Sequence, residues 1–427
     1  MKIAYFTLLN PVRSGVSDWT EELLPYLNKH MEIDIYVDAL EPENQDIGRS
    51  FAIYDIKEYE ENIENMRYDL RIFQAGNSSY HNRIMDAFMI YGGILELHDI
   101  SMHHYWAART FGKGDWNAYL RVMKACHGIK GERVAKAFKR GECKAPWEQD
   151  ALTFTVTREY IEKAQAIIVH SDFARQMVKG IDPYKKVAVI PLHTQVLDQA
   201  DADRYRRECR KHLGISEDII VFGSYGLITP TKRIDVILRT LDRFRIISKR
   251  KFHYYIAGEN HIAGLENTIK DLGLEECVTI TGRLSLDAFR QYMGACDIAF
   301  NLRYPTQGES SASLHRLIGY GKVTIVSDIG SFEEYPNEFV LKVRHDMHEE
   351  TDLLNFICQL VYGKKKLEAY EKKAILYARE NFDITMNARK YFDFFNGIIN
   401  DNISVEYVEG LVDAMDIYHI SLDRIFT

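Results

Sequence analysis

The feature that most narrows the fold is a rhythm of short apolar runs separated by stretches of helical pattern, and this rhythm starts twice. Residues 2–7, 34–37, 69–74, 94–97, 166–169 and 187–191 read as strands in the first half. Residues 219–223, 252–257, 278–281, 297–302 and 323–328 do so in the second. Strands alternating with helices predict the α/β class, with parallel sheets and ligands beyond the carboxyl ends of the strands. A chain of 427 residues exceeds one ordinary core, so two domains are expected.

Composition removes several alternatives. No apolar run is long enough for a transmembrane helix. Residues 1–7 read as a strand and not a signal peptide, because Asn10 and Arg13 follow at once. The six cysteines are scattered without a CxxC pair, which argues for reduced thiols in a cytoplasmic protein. A net charge of −8 argues against a general nucleic-acid binder. No cofactor or metal is expected: His103 and His104 near His98 lack the i, i+4 spacing of a helical zinc pair. Asp201 and Asp203 resemble a metal-binding DxD, but they sit in a charged helical connector and read as surface charge. The helical stretch 106–147 is rich in cations from Arg109 to Lys144. It is either a solvated face or a peripheral contact with anionic lipid head groups at the inner face of a membrane.

Polar residues collect at the strand ends. Gly15 precedes a helix predicted from about Asp18 to Leu27, where a glycine lets a ligand approach the backbone. Asn77 and His81 follow the third strand, and His98 and Asp99 follow the fourth. In the second half, one loop carries Lys232 and Arg233, and Gly282-Arg283 follows another strand. The stretch 303–328 reads as strand, Pro/Gly loop with Glu309, short helix opened by Ser310, Ser311 and Ser313, and a further strand. Free N–H groups at a positive helix end suit a phosphate, and a facing lysine supplies the cation a diphosphate requires. Serines are equally usual as plain N-caps. Neither GxGxxG nor a Walker loop is present.

These motifs, in this order, resemble the retaining glycosyltransferase family 4, which has the GT-B fold. The residues that carry the resemblance are Gly15 with its helix, His98-Asp99, Val169-His-Ser171, Val189-Ile-Pro191, Pro230-Thr-Lys232-Arg233 and Gly308-Glu-Ser-Ser…Gly321-Lys322. Gln74-Ala-Gly-Asn77…His81 points to a bacterial polysaccharide, rhamnan-type branch. The resemblance spans nearly the whole chain to about residue 400. It implies two Rossmann-like domains whose parallel sheets face an interdomain cleft, residues 1–195 on the acceptor side and 196–385 on the donor side. A helix around 385–400 would pack back on the first domain, and 401–427 is a tail without an assigned place.

The resemblance also implies roles. Lys232 would hold the leaving diphosphate of a UDP-, GDP- or dTDP-sugar. Glu309 and the amides of Ser310 to Ser313 would hold the donor sugar and phosphates. Gly282 and Arg283 would lie near the base, Gly15 near the phosphates, and His98 beside the transferred sugar. Asn77, His81 and Asp99 would form the acceptor rim. Two departures stand out. Leu227 replaces the usual Arg before the lysine, with Arg233 as the nearest substitute. The second Glu, the usual ribose partner, is also missing: counting from Glu309 reaches Leu317, and counting back from Gly321 reaches Arg316. Arg316 either serves the donor or makes a helix-face ion pair.

The activity implied is retaining transfer of mannose, glucose, rhamnose or a related hexose to a saccharide or lipid-linked acceptor in cell-surface polysaccharide synthesis. Two alternatives remain. One is a sugar-nucleotide epimerase on the same two domains, which needs acid/base carboxylates. The other is a non-catalytic subunit that binds a partner transferase.

Overall fold

The computed structural model describes residues 1–39, 41–62 and 67–417. The first half forms β1 (Lys2–Phe6), β2 (Glu32–Val37), β3 (Ala52–Asp55), β4 (Leu70–Ala75), β5 (Ile94–Leu97), β6 (Ala166–Val169) and β7 (Val187–Val189). They make one seven-stranded sheet in the order β3-β2-β1-β4-β5-β6-β7. The second half forms β8 (Ile220–Tyr225), β9 (Phe252–Ala257), β10 (Val278–Gly282), β11 (Ile298–Asn301), β12 (Val323–Ser327) and β13 (Val340–Val343). These give a six-stranded sheet in the order β10-β9-β8-β11-β12-β13. Every named pairing is parallel.

The central strands are apolar on both faces because helices cover both faces. Ile3 and Tyr5 of β1 pack into one core, and Ala4 and Phe6 into another on the opposite side of the sheet. β3 and β13 were not expected. Each has four residues and closes one edge of its sheet, so neither shows enough period to read from sequence.

The stretch 106–147 is not continuously helical. It divides into helices His103–Arg109, Trp116–Lys139 and Pro146–Gln149, with a non-helical backbone at Gly128 inside the second. Among the described residues no helix is long and apolar enough to cross a membrane. The final helix, Ile384–Ile417, runs back to the first domain, where Ala388, Tyr391, Phe395 and Ile398 join the core beside Leu23, Leu24 and Leu27. The stretch begun at residue 401 therefore continues this helix to 417, and residues 418–427 lie outside the described residues.

Candidate active site

The carboxyl ends of the two sheets face one another across a cavity of about 490 Å³. Its walls come from the entry to helix Gly15–Leu27 (Arg13, Ser14, Gly15), the ends of β8, β9 and β10 (Gly226, Glu259, Arg283) and helix Ala312–Gly319 (Ser313, Arg316). Chain reversals at strand ends set these positions. Gly226 has φ +92°, and a Cβ there would meet Ser313 Oγ at 3.3 Å and Lys232 Nζ at 3.5 Å. Backbone bonds from Gly226 to Ala257 (3.0 Å) and from Ile228 to Glu259 (2.9 Å) tie the β8 and β9 ends together.

Gly15 is the first residue of helix Gly15–Leu27, whose N-cap, Ser14, accepts from the Val16 N–H at 3.2 Å. No protein atom lies within 4 Å of where a Gly15 Cβ would sit, so packing within the protein does not demand glycine. The open space is the cavity itself. Lys232 is buried on a short turn (Pro230–Lys232), and its ammonium donates to the Tyr225 carbonyl. Burial, with Arg303 nearby, pushes its pKa well below the usual lysine value, and Glu309 only partly opposes this. Such a lysine gains its full charge when an anion arrives.

The serines divide their work. Ser311 is the N-cap: it accepts from the Leu314 N–H at 3.3 Å and donates to Asn301 Oδ1 at 3.1 Å. Its side chain is therefore structural, whereas Ala312 and Ser313 line the cavity. Ser310 and Gly282 are not among the cavity-lining residues, although Arg283 next to Gly282 is. Gly282 has φ +68°, which sets the turn that presents Arg283.

Glu309 is held inside its own loop. It accepts from Arg303 Nε at 3.2 Å, the Thr306 hydroxyl at 2.9 Å and the Gln307 N–H at 2.7 Å. The same loop docks on the first domain, where Ser101 N–H donates to the Gln307 carbonyl at 3.0 Å. Asp99 lies opposite. Burial pushes its carboxyl up to about 7, with Glu309 adding to the rise and the Asn77 N–H bond at 2.9 Å opposing it.

Three sequence assignments are corrected. Arg233 does not substitute for the arginine missing at Leu227, because its guanidinium pairs with the buried Glu349 at 2.6 and 3.2 Å. His81 is not at the rim: it is 2 % exposed beneath Gly76, and burial lowers it to about 4. Arg316 makes no ion pair along its own helix. It reaches Glu22 of the first domain at 2.8 Å, and Arg290 reaches the same Glu22 oxygen at 2.7 Å. Burial raises the Glu22 carboxyl, but His193, 3.6 Å away, and the two arginines outweigh it and hold it at about 2. Leu317 is packed in the domain core, so the second Glu has no counterpart at that position.

Asn77 spends its side chain on the rim, with Oδ1 accepting from the Tyr105 N–H at 3.0 Å and Nδ2 3.0 Å from His104 Nδ1. His98 lies at the end of β5 with Nδ1 3.1 Å from His170 Nε2. Glu96, His98 and His170 are close enough to suggest a metal site. Glu96 is already bonded by Tyr5 (2.8 Å), Gln74 (3.2 Å) and Tyr391, and both His170 nitrogens have partners. Glu96 and His170 are held by protein partners, whereas His98 Nε2 is buried without one. Asp201 and Asp203 lie on helix Gln199–His212, bonded to Arg204 and Gln199 respectively.

Glu22, Arg303 and Glu259 escaped the sequence reading, and His170 was named there only within the Val169-His-Ser171 motif, without a role. Glu22 lies seven residues beyond Gly15, two helical turns along the same face, which was the available signal. Arg303 and Glu259 directly follow apolar strands and were legible only as strand-end polar residues.

Residues 206–376 match the family described as Glycosyl transferases group 1. Solved structures with the same architecture include HepE of Anabaena in complex with UDP and glucose. It is 14% identical, covers 93% of this chain and 100% of that one, and has a TM-score of 0.64. Sucrose-phosphate synthase of Thermosynechococcus elongatus is 13% identical over 94% of this chain and 100% of that one, TM-score 0.67. WaaG, a glycosyltransferase involved in lipopolysaccharide biosynthesis, is 11% identical over 92% and 100%, TM-score 0.59. The fold is that of the GT-B glycosyltransferases. A search among curated proteins finds no match.

Proposed function

We propose that this chain is a retaining glycosyltransferase that moves a hexose from a nucleoside-diphosphate sugar to a saccharide or lipid-linked acceptor. The observation that carries this reading is the convergence of Ser313 and the Gly226 turn on the cavity, with Gly15 open to it from the other domain and the buried Lys232 Nζ 3.5 Å from the Gly226 Cβ position. Glycosyl transfer places negative charge on the departing diphosphate. A buried lysine and free helix N–H groups, fixed before the substrate arrives, stabilise that charge without reorganising. With Arg233 turned away and Arg316 held by Glu22, the second cation for the diphosphate comes from Arg13 in the cavity wall. Glu259, at the end of β9 between the diphosphate side and Arg283, supplies the carboxylate for the ribose hydroxyls that position 317 lacks. HepE structures with UDP and with UDP-glucose support a uridine nucleotide as the first ligand to test.

Retention follows from attack on the same face that the diphosphate leaves, with the leaving phosphate taking the acceptor proton. The acceptor reaches the site past Asp99 and Asn77. Thermal shift against UDP-, GDP- and dTDP-sugars tests the reading, because a ligand of the native state raises its melting temperature. No response to any of the three would remove it and favour the non-catalytic subunit. Lys232→Ala is expected to lower kcat/KM by about 10²–10³-fold, the range for losing one preorganised charge-stabilising group. Retained turnover would exclude the diphosphate role.

One observation favours the epimerase reading: Asp99 titrates near neutrality beside Glu309, as an acid/base pair would. Against it, Glu309 is bonded to Arg303, Thr306 and the Gln307 N–H within its own loop. Incubating UDP-GlcNAc without acceptor and assaying for its 2-epimer separates the two reactions.

A further inference from the structure

His98 is usable beside a sugar in two opposite ways, as a hydrogen-bond donor or as an acceptor, and a neutral imidazole offers only one at each nitrogen. Which one it offers is decided behind it. His170 Nδ1 lies 2.9 Å from the Ile190 carbonyl, an atom that can only accept, so this nitrogen carries the proton. In a neutral ring, His170 Nε2 is then a bare lone pair. It sits 3.1 Å from His98 Nδ1, which must therefore be the donor. The proton on Nδ1 leaves His98 Nε2 as a lone pair, and that nitrogen is buried with no partner in the protein.

We infer that His170 is a positioning residue that fixes His98 in its Nδ1–H form, which leaves the buried Nε2 as an unpartnered acceptor for a hydroxyl of the transferred sugar. The hydroxyl part rests on the transferase reading above, while the tautomer rests on the hydrogen bonds alone. Both rings stay neutral, since burial lowers the pKa of each. The Glu96 carboxylate, 4.0 Å from His170 Nε2, favours the charged ring but is itself held by three donors. Trp19 holds both imidazoles edge-on, with ring centroids 5.3 Å from His98 and 5.6 Å from His170.

Nitrogen NMR of ring-labelled histidines in the full chain reads the tautomer directly and needs no substrate. His98 is expected with its proton on Nδ1 in the wild type and His170→Gln, whose carboxamide keeps one donor and one acceptor. In His170→Leu the preference is lost. Transfer from the donor found by thermal shift should fall about tenfold in His170→Leu, the loss of roughly one hydrogen bond, and largely return in His170→Gln. A wild-type His98 protonated at Nε2 overturns the inference, as does His170→Leu transferring at the wild-type rate. Absence of any transfer by the wild type counts against the transferase reading, while the ring NMR still supports or overturns the tautomer.

Discussion

At Gly15 the space beside the backbone belongs to a ligand and not to the protein. Gly15→Ala puts a methyl group where no protein atom lies within 4 Å, so the melting temperature should hold while the Kd for UDP measured by calorimetry rises at least about tenfold. A loss of stability equal to the loss of affinity would assign the glycine to folding instead. Asp99 carries a pH dependence with a definite sign. Its folded pKa of about 7 exceeds the ordinary 3.8, so the stability its protonated form contributes is complete below about 4 and lost as pH rises to about 7. Asp99→Asn lacks this loss. Between about pH 5 and pH 8 the melting temperature of the wild type should therefore fall relative to the variant, by a few degrees. Parallel curves would show that Asp99 ionises normally.

Among elements, the first helix and helix Ala312–Gly319 meet through Glu22. Two arginines and His193 converge on that one carboxylate, and the two arginines lose their charge complement if it is removed. Glu22→Gln is expected to cost about 1–3 kcal/mol, less than a fully buried pair because Glu22 is 22% exposed. X-ray scattering should show a larger radius of gyration as the domains separate. An unchanged profile would mean that the contact of the Ser101 N–H with the Gln307 carbonyl holds the cleft closed without it. At this scale the sequence was partly readable. Helix starts capped by Ser171 and Ser311 follow local rules, and both side chains cap as their positions suggest. The edge strands β3 and β13 obey no local rule strong enough to show, and what holds them is a neighbour already in place.

Over the whole molecule, the basic stretch 109–144 is less free than its composition implies. Arg109, Lys124, Lys136 and Arg140 are taken up by Asp86, Glu132 and Glu142. Lys130 and Arg133 instead flank a groove of about 450 Å³ lined by Val134, Ala137, Pro146 and Phe154. A lipid contact at this face, one of the two readings of the stretch, would be apolar as well as electrostatic. The protein should co-sediment with vesicles containing phosphatidylglycerol, weakly with phosphatidylcholine alone, and less as salt increases. Equal binding to both lipids would remove the charge contribution.

The sequence by itself determined the class, the doubled α/β plan and the strand ends at which polar residues would gather. Hydrophobic period and capping residues are local properties, and they survive without knowledge of partners. Arg283 and Ser313 line the cavity, and Lys232 lies beside the Gly226 turn in its wall. Only the tertiary structure decided which side chains remain open to it. Arg233 was lost to Glu349, 116 residues away, and Arg316 to Glu22, 294 residues away. Charge pairing at such separations depends on which surfaces meet after folding, and no spacing along the chain encodes it. Arg316 ends as half of an interdomain contact in the very wall where a second glutamate was sought.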